Sequence, residues 1–283
     1  MAPDKTRNLR GRVRAPVFVA ALLAAGALLL MSGLGSAPSA PAPADPAAAA
    51  NQARWQSALE KRDTVVLAAE AETVGNPDAA ATDGATALMI AAQAGDASLV
   101  RVLLDRGADP NARNANGGTP LMHAAMSGDP GIVESLIAAG AELDAAAKLG
   151  WSALLLAAAK GNAAAADVLL RSGAQPNQAD TYGWTPLMRA VSGNHAAAVN
   201  VLLASPDVDI NAREETGATA LHVAAQYGYA GMAARLLESG ADSGAVNDRG
   251  LSAADFAEMS EHPDVAQLLA GRRGPAVSSE PGS

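Results

Sequence analysis

Hydrophobic and polar positions recur in blocks of about 33 residues through the middle of the chain. Each block opens with a glycine and a Thr or Ser, and continues into a short run rich in Ala, Leu and Met. A second run of helical periodicity follows, with two adjacent apolar residues near its end. This pattern predicts two short helices and a turn in every block. The Thr or Ser positions are Thr86, Thr119, Ser152, Thr185, Thr219 and Ser252.

The spacing of these positions is nearly constant, at 33, 33, 33, 34 and 33 residues. Repetition at this period predicts stacked units rather than one globular core, because a single unit cannot bury its own apolar face. The Thr or Ser should cap the first helix by accepting a bond from a free backbone amide. The second helix should place its apolar pair, such as Leu169 and Leu170, in the core between units. The residues expected to end the first helices are Gly95, Gly128, Gly161, Asn194 and Gly228.

These blocks resemble the ankyrin repeat. The Thr-Pro-Leu-His signature of that family appears in variant forms, and its histidine is kept only at His222. The Gly-Ala-Asp-x-Asn turn of the family is nearest to its consensus over residues 107–111. The resemblance covers about residues 81–271 and implies an all-α fold, an ankyrin-repeat solenoid of stacked helix-turn-helix units with hairpin loops. It also implies that His222 ties a loop to a helix through hydrogen bonds.

The ends of the array are less regular, as is typical of capping units. We expect an N-terminal capping unit over residues 45–80, with short helices over 55–59 and 65–71. Five full repeats should follow over 81–246, and a C-terminal capping repeat over 247–271. The Gly-, Pro- and Ser-bearing tail over 272–283 is expected to be disordered.

Residues 1–44 have the pattern of a targeting segment. Five basic residues precede an uncharged apolar run from Val17 to Met31, and Ala42-Pro43-Ala44 matches a small-x-small cleavage site. Three interpretations remain open: a cleaved signal peptide, an uncleaved single-span anchor that extends from Ala15 to Gly35, or an apolar run that is an artefact of a mis-annotated start. In the first two, an N-terminal apolar targeting or anchor helix precedes exported repeats. The Pro/Ala stretch over 36–50 is predicted to be a semi-extended spacer.

Composition and charge limit the possible chemistry. The chain has no cysteine, which excludes disulfides, thiol catalysis and thiolate metal sites. Its net charge of −9 becomes −13 without residues 1–44, which hold five basic groups and one acidic group. Such a molecule repels nucleic acid and anionic lipid. The four histidines lack zinc-like spacing, and neither a phosphate loop nor a nucleophile elbow occurs, so we predict no catalytic residue, no metal site and no cofactor.

The candidate binding residues are aromatic and basic residues at matching places in neighbouring repeats. Trp151 and Trp184 lie 33 residues apart, each directly before a helix cap, in a chain with few aromatic residues. The resemblance implies that this place lies on the hairpin side and is a contact position. Solvent-facing Trp and Tyr are typical of binding hot spots. The alternative is that each indole covers the loop of the adjoining repeat. The predicted protein-binding residues are Trp151, Tyr182, Trp184, Lys148, Lys160, Tyr227 and Met126.

These features predict a non-catalytic protein–protein interaction scaffold in the bacterial envelope that binds a partner protein through its concave ankyrin surface. We expect a monomer that is periplasmic, or anchored in the inner membrane and facing the periplasm. It should bind no nucleic acid and contact a membrane only through an uncleaved N-terminal segment. The alternative is a secreted effector or immunity-type protein that acts on another cell's protein. An enzyme is disfavoured because no convergent acid–base set is present.

Overall fold

The computed structural model of the protein describes residues 46–271, which form a stack of helix pairs. The N-terminal pair is α1 (Pro46–Lys61) and α2 (Thr64–Glu70). Repeats one to six start at residues 81, 114, 147, 180, 214 and 247. Their first helices are α3 (Ala87–Ala94), α5 (Pro120–Ser127), α7 (Ala153–Lys160), α9 (Pro186–Ser192), α11 (Ala220–Gln226) and α13 (Ala253–Met259). Their second helices are α4 (Ala97–Asp105), α6 (Pro130–Ala138), α8 (Ala163–Arg171), α10 (Ala196–Leu203), α12 (Ala230–Glu238) and α14 (Pro263–Ala270).

The first helix of every repeat starts at the Thr or Ser that the sequence marks. In repeat one, the hydroxyl of Thr86 accepts a hydrogen bond from the amide of Met89 at 3.4 Å. In repeat five, Thr219 forms a capping box with His222. The other ring nitrogen of His222 lies 3.1 Å from the carbonyl oxygen of Leu251 in the next repeat. The predicted role of this histidine, which is to tie a loop to a helix, is therefore confirmed.

The first helices also end where the sequence predicts. A residue with left-handed backbone conformation, at φ between 55° and 87°, closes each of the first five. Glycine adopts this conformation without steric cost, and asparagine tolerates it. The five residues are Gly95, Gly128, Gly161, Asn194 and Gly228.

A hairpin loop precedes each first helix and pairs with the hairpin of the next repeat. In repeat four, the amide of Asp180 donates to the carbonyl of Trp184 at 3.1 Å, which closes the hairpin. Between repeats, the amide of Thr181 donates to the carbonyl of Leu149 at 3.0 Å, and equivalent bonds join all six hairpins. Within residues 46–271, β pairing is limited to two isolated bridges at the first and last hairpins.

Two further features hold neighbouring repeats in register. Gly183 has φ 76°, and a Cβ atom there would lie 2.9 Å from the Cα of Glu214, so the hairpins approach too closely for any other residue. At the opposite edge of the stack, the side chain of Asn111 joins two turns. Its Nδ2 donates to the carbonyl of Gly140 at 2.9 Å, and its Oδ1 accepts the amide of Glu142 at 2.8 Å.

The hydrophobic core runs between the two helical layers along the whole stack. Leu169 is fully buried there, whereas Leu170 packs only against the edge of the core. The expectation that both lie in the core was wrong for Leu170, because adjacent helical residues point about 100° apart and cannot both face inward. The fully buried residue stands seventeen positions after each cap, at Leu103, Leu136, Leu169, Leu202, Leu236 and Leu269.

The N-terminal unit differs from the prediction in the length of its first helix. Helix α1 begins at Pro46, so the last residues of the predicted spacer are helical instead. Four consecutive alanines over 47–50 explain the difference, because alanine has the highest helix propensity. Arg62, which follows α1, forms an ion pair with Asp83 in the hairpin of repeat one and so attaches the unit to the stack.

The predicted targeting or anchor helix over 1–44 and the predicted disordered tail over 272–283 lie outside the described residues, and both stay predictions. Of the helices α1 to α14, none is both long enough and apolar enough to cross a membrane.

Candidate functional site: the hairpin face

The predicted binding residues lie in the hairpins and at the ends of the first helices of repeats two to five. We call this surface the hairpin face; it corresponds to the concave surface of the sequence analysis. The hairpin residues are Lys148, Trp151, Tyr182 and Trp184, and the residues at helix ends are Met126, Lys160 and Tyr227. The second helices form the opposite layer and contribute none of them.

The two tryptophans are brought together by a third residue, Arg189 of helix α9. Its guanidinium carbon lies 4.8 Å from the ring centroid of Trp151 and 4.8 Å from that of Trp184. One cation therefore contacts an indole from repeat three and an indole from repeat four, and such contacts are strongest where water is excluded. Arg189 lies in an otherwise apolar helix, and its side chain is only 2% exposed.

The charge of Arg189 is balanced by Asp180, at the start of the same hairpin. The Nε and Nη2 groups of Arg189 both donate to Oδ2 of Asp180, Nε at 3.1 Å. The remaining oxygen, Oδ1, accepts the amides of Tyr182 at 2.9 Å and Trp184 at 3.1 Å. Both oxygens of this buried carboxylate are thus hydrogen-bonded, which offsets the cost of removing the ion pair from water.

This arrangement corrects one expectation from the sequence and qualifies another. Trp151 was expected to face solvent, but it is 4% exposed and packs against the neighbouring repeat. For Trp151, the geometry is that of an indole that covers the adjoining loop. Trp184 is half-buried and contacts Arg189, and Tyr182 is 38% exposed. Within residues 46–271, Tyr182 of repeat four is therefore the one exposed aromatic side chain, while Tyr227 and Tyr229 of repeat five are half-buried, as Trp184 is.

The positions of Asp180 and Arg189 hold a second hydrogen-bonded pair in repeat two. There they are Asn114 and His123, whose Nδ2 and Nε2 atoms lie 3.4 Å apart. Repeats five and six carry a polar residue at the first position and an apolar one at the second, and the polar side chain accepts amides of its own loop instead. Repeats one and three carry apolar pairs, Ala81 with Ile90 and Ala147 with Leu156.

His123 is held in its neutral form. Burial, together with the nearby charge of Arg62, lowers its pKa to about 4, and Asp83 opposes this shift only in part. Its Nδ1 lies 3.2 Å from Oε1 of Gln93 in repeat one, so the ring joins two repeats while it remains uncharged. A neutral histidine with both nitrogens in hydrogen-bond contact is a structural residue rather than an acid or a base.

The backbone conformation of the hairpin of repeat three differs from that of the other hairpins. In repeats two, four, five and six, an Asn, Asp or Glu side chain at the first hairpin position accepts two amides of the loop, as Asp180 does. Ala147 offers no such acceptor, and Leu149 adopts the left-handed conformation with φ 61°. This conformation costs a leucine on the order of 1 kcal/mol. Lys148 precedes it at the tip, exposed, with its Nζ 3.1 Å from Oδ1 of Asn116.

The remaining predicted residues lie at the ends of first helices. Lys160 is exposed at the end of α7, and Met126 is half-buried at the end of α5. Tyr227 stacks on Tyr229, with ring centroids 5.6 Å apart and planes at 16°. Burial raises the pKa of Tyr227, so its hydroxyl stays protonated at neutral pH.

Sequence reasoning missed Arg189, which organises the site. A signal was present, because the five equivalent positions carry Ile, His, Leu, Val and Phe, so an arginine there requires a buried anion. Within residues 46–271, no group of three or more His, Asp or Glu side chains is placed to hold a metal ion.

Comparison with family models agrees with this architecture. A model described as ankyrin repeats (3 copies) matches residues 57–147 and 128–214, and one described as ankyrin repeats (many copies) matches residues 207–257. The chain belongs to the ankyrin-repeat family. Ankyrin repeats are a non-catalytic, protein–protein interaction scaffold. No curated protein matches this ankyrin chain.

We predict that removing one partner of the buried Asp180–Arg189 ion pair destabilises the ankyrin stack. Arg189→Leu should lower the free energy of unfolding by about 3–5 kcal/mol, because it leaves the Asp180 carboxylate buried without a counter-charge. The double variant Asp180→Asn/Arg189→His copies the pair of repeat two and should recover most of that loss. Urea unfolding followed by circular dichroism measures both. Equal stability of the single and double variants would contradict the matched-pair interpretation.

We also predict a specific acid sensitivity from His123. Between pH 6.5 and 4, the unfolded chain binds a proton at this histidine that the folded chain does not bind. The free energy of unfolding should therefore decrease as the pH is lowered from 6.5 to 4, by about 3 kcal/mol in total. His123→Ile, which copies repeat one, should remove this part of the pH dependence; the lowered pKa of His222 is common to both proteins. Urea unfolding at several pH values tests this, and identical slopes would exclude the assignment.

Proposed function

We propose that this ankyrin-repeat protein binds a partner protein through the hairpin face of repeats three to five. The observation that supports it most directly is the accessible aromatic surface of repeat four. Tyr182 is 38% exposed at a hairpin tip, two residues before the half-buried Trp184. Exposed Tyr and Trp on a rigid support are typical of binding hot spots.

The residues that hold these aromatic side chains in place favour tight binding. Trp184 rests on Arg189, which is fixed by Asp180, and Asp180 also orders the hairpin through two amides. Because the hairpins are joined by backbone hydrogen bonds, the tip of repeat four cannot move independently of repeats three and five. A surface that is ordered before binding loses little conformational entropy on association.

We further propose that the repeats act outside the cytoplasm of a bacterial cell, in the periplasm or anchored at the inner membrane. The support is the sequence of residues 1–44, where basic residues precede an uncharged apolar run and a small-x-small site. Absence of cysteine in the chain is compatible with an oxidising compartment. The rival proposal, a secreted effector or immunity-type protein, differs in the final compartment.

The binding proposal is tested by site-specific photo-crosslinking in the native host. A benzophenone amino acid at Tyr182 should give a discrete crosslinked protein, whereas the same group at Arg101, exposed on helix α4 of the opposite layer, should not. With the captured protein purified, Trp184→Ala should weaken binding by about 2 kcal/mol, roughly thirtyfold in Kd. Equal crosslinking at both positions, or an unchanged Kd for Trp184→Ala, would refute a hot spot at this face.

The location is tested by cell fractionation and mass spectrometry of the mature N-terminus. A periplasmic protein that begins at Asp45 supports the cleaved signal peptide, and an intact chain in the inner-membrane fraction supports the anchor. Recovery of the protein from the culture medium would favour the secreted effector. Recovery of the intact chain only from the cytoplasm would rule out export.

A further inference from the structure

The hairpin face of repeats two to four has an unusual charge distribution. Its hairpins and first helices, over residues 114–127, 147–160 and 180–193, carry only four charged residues. Asp180 and Arg189 neutralise each other in the interior. The two others, Lys148 and Lys160, are both exposed, and within residues 46–271 neither has an ion-pair partner. We call these two residues the lysine pair.

The opposite layer of the same repeats is acidic. The second helices and turns over 128–146, 161–179 and 194–213 hold seven acidic and two basic residues. The lysine pair is therefore a local positive region on a chain whose net charge is −9. Within residues 46–271, the only other lysine is Lys61. A general need for solubility therefore does not explain why two lysines lie in repeat three.

The geometry of repeat three limits what can bind to the pair. Lys148 stands at the hairpin tip before helix α7, and Lys160 is the last residue of that helix. Eight helical residues span about 12 Å. An extended chain advances about 3.3 Å per residue, so about four of its residues cover the length of this helix. Two carboxylates about four residues apart fit this spacing.

We propose that the lysine pair holds an extended acidic segment of the partner protein, with an apolar or aromatic residue of that segment packed on Tyr182. This inference rests on the proposed function and adds the chemistry and direction of the bound segment. The acidic residues lie at repeat three and the apolar residue at repeat four. Glu215, exposed in the next hairpin, repels the acidic part from repeat five and so fixes this direction.

A protein segment is favoured over a nucleic acid by the rest of the molecule. Two lysines offer few phosphate contacts, and the strongly negative charge of the remaining surface opposes a polyanion. A second copy of this chain is disfavoured for the same reason, because its surface is also acidic. A short segment with two carboxylates contacts the positive region without bringing further negative charge to the acidic layer.

The test is a selection of random twelve-residue peptides, displayed on phage, against the immobilised full chain. The same selection is made on Lys148→Glu/Lys160→Glu and on the matched control Lys61→Glu, whose lysine is exposed at the end of α1. Because all three lysines are exposed, circular dichroism should show unchanged folding. We expect wild type and control to enrich peptides with two acidic residues about four positions apart beside an apolar or aromatic residue.

A synthetic peptide of the enriched sequence then provides the affinity measurement. Fluorescence anisotropy should show a loss of at least about tenfold in affinity for the double charge reversal and no change for Lys61→Glu. Raising the salt concentration to about 0.5 M should also weaken the wild-type complex, because exposed ion pairs are screened. Enrichment of neutral or basic peptides, equal affinity for the double variant, or tighter binding of a single-stranded oligonucleotide at the lysine pair would overturn the proposal.

The two proposals fail in different ways in this experiment. Neutral peptides that lose affinity with Tyr182→Ala and Trp184→Ala would leave the hairpin face as the binding surface and remove only the acidic segment. Peptides whose affinity none of these substitutions changes would remove both, because the bound surface would then lie elsewhere. Failure to enrich any sequence would count against both as well.

Discussion

Backbone hydrogen bonds between neighbouring hairpins hold the repeats of this protein in register. The amides of Ala115 and Lys148 donate to the carbonyls of Asp83 and Asn116, and the series continues to the last repeat. A hairpin that slipped by one residue would lose these bonds, so the series opposes any change of register. The one extra residue of repeat four lies in its turn, over 205–211, where it does not disturb this series.

Two positions that meet in the interior carry hydrogen-bonded polar pairs in repeats two and four. These are the first hairpin position and the fourth residue after the helix cap. Repeat two places an amide beside a neutral imidazole there, and repeat four a carboxylate beside a guanidinium. The ion pair of repeat four does more than fill space, because Arg189 also supports the indoles of two repeats.

The regular parts of the fold were predictable from sequence, and the departures were less so. The caps and the left-handed helix ends follow from local chemistry that recurs from repeat to repeat. The bond from His222 follows from the family signature that repeat five keeps. The burial of Trp151 was missed because it depends on Arg189 in the following repeat, and no pattern within one repeat reports that contact. Helix α1 was predicted too short because its alanines, preceded by prolines, were assigned to a spacer.

Because backbone bonds fix the register, the side chains at the hairpin tips and helix ends are largely free of a role in folding. At the hairpin tips and helix ends, one side of each residue faces solvent, and the backbone bonds form whichever side chain is present. A substitution there changes the surface at little cost to the stack, which is why a lysine pair and an open tyrosine can stand on otherwise similar repeats. Trp184 lies at the boundary between these roles, since it contacts the buried Arg189 and is itself only half-buried. The proposed binding surface therefore draws its specificity from the residues by which repeats three and four differ from their neighbours.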